Sequence, residues 1–432
     1  MNIFRRHIFL FAALGALVCS CGGKVVGDGG RDVSEPRFLE IFERPEGGWT
    51  VVSVSPFDGS RDSLVIDRPF SRLVAMSTSH YGFLDALGAT DRIVGISGPD
   101  YLYTALVGSR QALTVRTPRF ARPLPSLGES VKTSFHLLSF DLGPSLLRDE
   151  GVHGPDLPDL PTATEKREAA GRSQKAIADV GYDSAPDYEK IVGLGPDVVL
   201  TYAVSGAKSP FETKLEQLGI KVFTVNEHLE RHPLARAAYI RLFGALTGRM
   251  AAADSILSEV TKSYNAIAAE VKDRKEAPRK VLLNIPYNDQ WFVPSEDSYL
   301  TALIRDAGGE VLGCEKGKAA SSVMPVEKAY TLSQEADCWL NTGWCHTRKD
   351  LLGVNPIFKD MLGNIESNAA ELGYGSYPVV WNDNKRVNSK GGNDIWQSGV
   401  ARPDLVLLDL AAILHPDNQG EALKTIYYRQ IN

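Results

Sequence analysis

Arg72-Leu73-Val74-Ala75-Met76-Ser77-Thr78-Ser79-His80-Tyr81 carries the reading of the fold. Leu73 to Met76 is a short apolar run that reads as a buried strand. Ser77, Thr78 and Ser79 follow as helix N-caps, because their hydroxyls accept from the first free helical N–H groups. A short amphipathic helix runs from Tyr81 to Leu87 and stops at Gly88, and Arg92-Ile93-Val94-Gly95-Ile96 is the next strand. The rhythm resumes with a helix over Tyr188–Leu194, the strand Asp197-Val198-Val199-Leu200-Thr201, a helix over Phe211–Leu218 and the strand Lys221–Val225. Short β-branched runs alternating with helices predict parallel strands with helices on both faces.

Upstream, Phe38–Phe42 and Trp49–Val54 flank Gly47-Gly48, a favoured hairpin turn pair. Downstream, Pro233 opens a helical region whose first piece stops near Gly248. A second helix runs from Arg249 to about Arg274, with Ile256, Val260, Tyr264, Ile267 and Val271 on one face. At a rise of ~1.5 Å per residue it is about 38 Å long, enough to reach from one domain to another. A second α/β set follows: strand Lys280–Ile285, helix Tyr299–Ala307 ended by Gly308-Gly309, a helix entered at Glu327, strand Cys338–Asn341, helix Leu405–Leu414 and a terminal helix around Glu421 to Tyr428. The two sets echo each other. Glu189-Lys190 leads through a short helix to Asp197 and its strand, and Glu327-Lys328 leads the same way to Asp337. Two lobes built on one plan are expected.

Between these parts, residues from about Val107 to Thr164 break the rhythm, and seven prolines from Pro118 to Pro161 defeat any long helix there. This stretch reads as an insertion and is assigned no function. At the N-terminus, Arg5 and Arg6 precede an uncharged apolar run from Ile8 to Val18, too short to span a bilayer. It ends in Val18-Cys19-Ser20-Cys21-Gly22, which resembles a bacterial lipoprotein cleavage box and implies lipid on Cys21. Removal of residues 1–20 leaves about 410, room for two domains. Gly22 to Glu35 then reads as a flexible tether. The expected division is signal 1–20, tether 21–36, first lobe 37–247, linking helix 248–275 and second lobe 276–432.

The formal net charge of −6 and the lack of a basic block argue against a nucleic-acid partner. Cys314, Cys338 and Cys345 lack the paired spacing of a zinc site. An oxidising envelope permits a Cys338–Cys345 disulfide across a turn at Asn341-Thr342-Gly343. His228 and His232, with Glu227 and Glu230 nearby, offer a metal pair for a hydrolase if helical, but Pro233 argues that the helix starts after them. No phosphate loop or nucleophile elbow is visible, so no catalytic residue is assigned.

Several stretches together resemble class III periplasmic binding proteins, which deliver ferric siderophores, haem or cobalamin to ABC importers. They are Arg72–Ser77 through Leu84–Ala89, Ile177–Tyr182 into Tyr188–Val192 and Gly195–Val199, Leu303–Gly309, and Arg402–Leu405 through His415-Pro416. The resemblance covers about residues 38 to 106 and 171 to 416, and implies two Rossmann-like lobes joined by one long helix with ligand in the cleft between. Ligands of open α/β sheets sit beyond the carboxyl ends of the strands. The residues there are Ser77, Ser79, His80, Tyr81, Tyr101, Tyr103 and Tyr202 in the first lobe, and Tyr287, Trp291, Trp344 and His346 in the second. Core packing is the default role of any one aromatic. Their clustering at equivalent strand ends favours Ser77, His80, Tyr81, Tyr202, Trp291 and Trp344 as ligand contacts.

By the same resemblance, Glu189 and Glu327 match the acidic pair that meets arginines of the permease, although a helix N-terminal glutamate also stabilises the macrodipole. The expected partners are a permease with its ATPase, a metal chelate and a lipid anchor. The chain is expected to act as a monomer in the cell envelope, on the periplasmic side, without a cofactor of its own. A ferric siderophore or haem is the first choice of cargo and cobalamin the second. Capture of a bare zinc or manganese ion is the competing reading, and needs three or four converging ligands where only His80 and His346 are obvious.

Overall fold

The computed structural model describes residues 32, 34–103, 177–287, 289–315, 321–416 and 424–432. The expectations for the signal, for Cys21 with most of the tether, and for the insertion at 107–164 lie outside the described residues.

Two five-stranded sheets organise the rest. The first has the spatial order Val222–Thr224, Val198–Thr201, Leu73–Ala75, Ile93–Ile96, Ala178–Asp179, and every pairing in it is parallel. The second runs Gly309–Val311, Arg279–Leu283, Cys338–Leu340, Val380–Asn382, Arg429–Gln430, parallel except for the last strand. In chain order the second sheet is 2-1-3-4-5, a doubly wound arrangement with a crevice between its first and third strands. The equivalent crevice of the first sheet lies between Leu73–Ala75 and Val198–Thr201.

The strands are short, and the central ones, Leu73–Ala75, Val198–Thr201, Cys338–Leu340 and Val380–Asn382, are wholly buried because helices cover both faces. On one side of the first sheet Leu73, Ala75 and Leu200 pack with Phe83, Tyr239 and Phe243. On the other, Val74, Met76 and Val199 pack with Ile191, Phe211 and Leu215. An antiparallel three-stranded sheet, Leu39–Glu43, Trp49–Val54 and Arg61–Ile66, adjoins the first core. The first two strands form the expected hairpin; the third was not anticipated.

The internal echo has a structural meaning. Asp197 Oδ2 accepts the backbone N–H of Arg72 at 2.9 Å, and Asp337 Oδ2 accepts that of Lys280 at 3.0 Å. Each aspartate thus fastens its own strand to the first strand of its sheet. Buried Arg279 adds an ion pair to Asp337 and lies over the Tyr374 ring at 4.0 Å.

The 24-residue helix Met250–Asp273 matches the expected span. Ala253 near its start packs in the first core, while Val260 and Tyr264 pack in the second. It is not alone in joining the halves. Leu234 and Ala237 from the helix Pro233–Ala237 enter the second core, and Val400 and Ala401 from the second half enter the first.

One expectation fails, and a disulfide that the sequence left open does not form. The terminal segment is no helix over residues 424–428. Buried Asp409 instead accepts the N–H groups of Ile426, Tyr427 and Tyr428, at 2.8, 2.6 and 3.2 Å, and feeds the chain into the edge strand Arg429–Gln430. Cys338 and Cys345 are free thiols rather than a disulfide. The turn between them forms, with Cys345 N–H on Thr342 O at 3.2 Å, but Cys338 stays inside a central strand where burial pushes its thiol up to about 12.

Candidate functional site

The carboxyl ends of both sheets meet along one seam. Downstream of Ile93–Ile96, Tyr103 N–H donates to Gln397 Oε1 at 3.0 Å, and Asn388 Nδ2 donates to Asp100 O and Leu102 O. Gly82, in the helix after Leu73–Ala75, lies so close to the Gln397 backbone that any Cβ would stand 1.9 Å from Gln397 O. On the remaining edge Arg231 Nη1 faces Asp297 Oδ2 at 3.4 Å.

At the first sheet's crevice Ser77 caps the helix Thr78–Ala86 and shares a hydrogen bond with Ser79 at 2.8 Å. Tyr202 is half-buried, with its hydroxyl donating to Asp183 at 3.2 Å and its ring edge-on to His228. At the second crevice Asn284 and Asn341 take left-handed backbone angles, φ 69° and 60°, where each strand gives way to its loop. Asparagine tolerates that region better than most residues, and it turns the chain sharply at the sheet edge. Beyond these turns Tyr287 and Trp344 stand 71% and 63% exposed. Trp396, on the loop between Val380–Asn382 and the closing helices, is 43% exposed, and Tyr101 across the seam is 45% exposed.

Three of the expected ligand contacts are core residues. Trp291 has no exposed surface. Its indole N–H donates to Leu283 O at 2.6 Å, and its ring stacks on Trp339, because strand Trp291–Val293 folds back over the second sheet's helices and core. Tyr81 packs into the first core. His80 is fully buried against Phe243, and burial lowers its imidazole to about 4, so the ring is neutral. Ser77 is the cap, so the helix starts at Thr78, three residues before the expected Tyr81, and turns residues 80 and 81 inward.

Sequence reasoning missed the polar floor of the seam. Ser79 Oγ donates to Glu227 Oε1 at 2.6 Å, and Glu227 Oε1 lies 3.9 Å from Arg236 Nη2. The Arg236 guanidinium stacks on Tyr299 at 4.6 Å. All three polar side chains are buried. Burial opposes charge on Glu227, but the hydrogen bond with His228 and the charges of Arg236 and of His80, once that ring is protonated at low pH, outweigh it and hold its carboxyl at about 2. Arg236 is the one charge in the apolar run Pro233–Ala238, and that was the available signal. Arg236, Tyr299, Asn341, Asp383 and Trp396 line a pocket of about 40 Å³ that spans the two halves.

The proposed histidine pair does not converge. His228 Nε2 meets Ala203 O at 3.0 Å, whereas His232 caps the helix Pro233–Ala237 and faces Asp306 at 3.5 Å. His346 is exposed beside Arg429. No group of three His, Cys, Asp or Glu residues able to hold a metal occurs among the described residues.

Glu189 and Glu327 are exposed and sit in the first turns of the helices Tyr188–Leu194 and Val326–Ser333. Each helix leads into the strand paired beside the first strand of its sheet, so the two positions are topologically equivalent.

Comparison with known proteins agrees with this architecture. Residues 155–362 match the family model described as periplasmic binding protein. An uncharacterized lipoprotein of Methanocaldococcus jannaschii is 28% identical over 263 residues, 59% of this chain and 56% of that protein. A cobalamin-binding protein of Halobacterium salinarum is 27% identical over 165 residues, 38% of this chain and 42% of that protein. The chain thus spans about half the length of the curated relatives it matches. A solved periplasmic binding protein from Veillonella parvula shares the fold, with a TM-score of 0.50 at 14% identity, covering 85% of this chain and 98% of that one. The family model matches just under half of the chain, and together with two doubly wound sheets meeting at their carboxyl ends it makes the chain similar to periplasmic binding proteins.

Proposed function

We propose that this chain is the substrate-binding component of an ABC importer and that its cargo is a metal chelate. The observation that carries this is the set of exposed aromatics on both sides of the seam, Tyr101 on one and Tyr287, Trp344 and Trp396 on the other. Large rigid chelates need broad apolar contact and a few orienting polar groups. The half-buried Ser77 and Tyr202 supply polar atoms beside that rim. Trp291, Tyr81 and His80 are no part of the proposed contact surface. The name of the Halobacterium relative supports cobalamin among the chelates, and haem and ferric siderophores share the requirement for broad contact.

Glu189 and Glu327 are proposed to dock the permease. Two fixed negative charges at equivalent points of two lobes orient an encounter with a basic surface. Lipid on Cys21 would hold the binder at high local concentration near that permease, and the similarity to a lipoprotein supports this arrangement. No helix among the described residues is long and apolar enough to cross a membrane.

Tryptophan fluorescence titrated with haem, cobalamin and ferric siderophores tests the proposal. Saturable quenching by one of them is expected, and it should weaken in Trp344→Ala and Trp396→Ala. Tight zinc binding without response to any chelate would overturn it.

A further inference from the structure

The pocket lined by Arg236, Asn341 and Asp383 adds a chemical preference to the chelate-binding function, and its assignment rests on that function. Its volume of about 40 Å³ exceeds the ~10–15 Å³ needed for one water. That space admits a small polar group of about three heavy atoms. Trp396, 43% exposed, stands on its wall, so the pocket adjoins the aromatic rim.

The residues that line it carry mixed polar groups. Arg236 is buried and its Nε–H has no hydrogen-bond partner in the structure. Asn341 Oδ1 is buried and also without a partner. Asp383 brings a carboxyl group that burial pushes up to about 6, still ionised above neutral pH. The guanidinium charge is already matched by Glu227 at 3.9 Å. One cation against the carboxylates of Glu227 and Asp383 leaves the neighbourhood with a net negative charge. An anion entering it would lose hydration and meet Asp383, an unfavourable exchange in a buried site. A neutral group with one acceptor and one donor end meets neither penalty.

We propose that this pocket is a subsite for an uncharged terminal carboxamide on the periphery of the bound chelate, and that it discriminates against a carboxylate at the same position. Arg236 Nε–H donates to the carboxamide oxygen, and the carboxamide NH2 donates to Asp383 and to Asn341 Oδ1. Buried polar groups built to hydrogen-bond a ligand reject an analogue that leaves them unpaired far more strongly than apolar contacts do. Chelates ringed with amides are favoured by this pocket over chelates ringed with acids.

The test is fluorescence titration of the unmodified protein at pH 8 with cobalamin, with its monocarboxylates (each with one peripheral amide hydrolysed to an acid), with haem and with a ferric siderophore. Cobalamin should bind, and at least one monocarboxylate should bind tenfold or more weakly. Asp383→Asn should narrow the gap between cobalamin and that monocarboxylate to threefold or less. Monocarboxylates that all match cobalamin within twofold would overturn the assignment, as would a gap that Asp383→Asn does not narrow. Binding of haem or the siderophore without cobalamin overturns the amide subsite and leaves chelate binding standing. Failure of every chelate overturns both.

Discussion

Replacing Glu227 with glutamine removes a charge while retaining an oxygen for Ser79 Oγ to donate to. The Glu227 and Arg236 side chains are 3% and 9% exposed and 3.9 Å apart. At an effective dielectric constant of about 20, that separation corresponds to ~4 kcal/mol of attraction. The depression of the Glu227 carboxyl from 4.5 to about 2 corresponds to roughly 3 kcal/mol, but His228 and His80 share in it with Arg236, so only part belongs to this pair. Desolvation offsets much of either value for the pair as a whole, whereas deleting one partner strands a buried charge at a cost of ~3–5 kcal/mol. Glu227→Gln and Arg236→Met should therefore each lower unfolding stability by several kcal/mol. The double variant should lose far less than their sum, with a coupling of about 1–3 kcal/mol. Urea denaturation followed by tryptophan fluorescence measures all four proteins.

The pH dependence has a defined sign. A carboxyl whose folded pKa lies below its unfolded value contributes stability that is present above the unfolded pKa. The gap between the unmodified protein and Glu227→Gln should thus be full above about pH 4.5 and close as pH falls toward about 2. Additive losses in the double variant, within ~0.5 kcal/mol, would refute the argument that the two groups act as a buried pair. So would a gap that does not change across that pH window.

Trp291→Ala should destabilise the second lobe by about 3–5 kcal/mol, because it empties a core site. Trp344→Ala should leave the urea midpoint unchanged and weaken chelate quenching; the reverse pattern would exchange their roles. Asp409→Ala should strip the Ile426, Tyr427 and Tyr428 N–H groups of their acceptor. Hydrogen exchange should then rise at residues 426–430, and unchanged protection there would contradict the clamp. Combining Glu189→Ala with Glu327→Ala should abolish transport in cells without altering chelate affinity; uptake at the unmodified rate would remove both from docking.

Much of the architecture was legible because it rests on local rules. Apolar runs such as Val198-Val199-Leu200, the serine cap at residue 77, the glycine stop at 308 and the periodic face of Met250–Asp273 each encode their element within a few residues. The acidic residue before each equivalent strand disclosed the two-lobe plan, and Asp197 and Asp337 proved to be the fasteners behind that echo. The site was less legible. An aromatic after a strand reads alike whether it folds back, as Trp291 does, or stands in solvent, as Trp344 does. The sequence alone determined two α/β lobes, their order and the ends of the strands where a ligand would lie. Only the tertiary structure decided which side chains reach that seam, because burial and the pairing of Glu227 with Arg236, or of Asp409 with residues 426–428, depend on segments brought together by the fold.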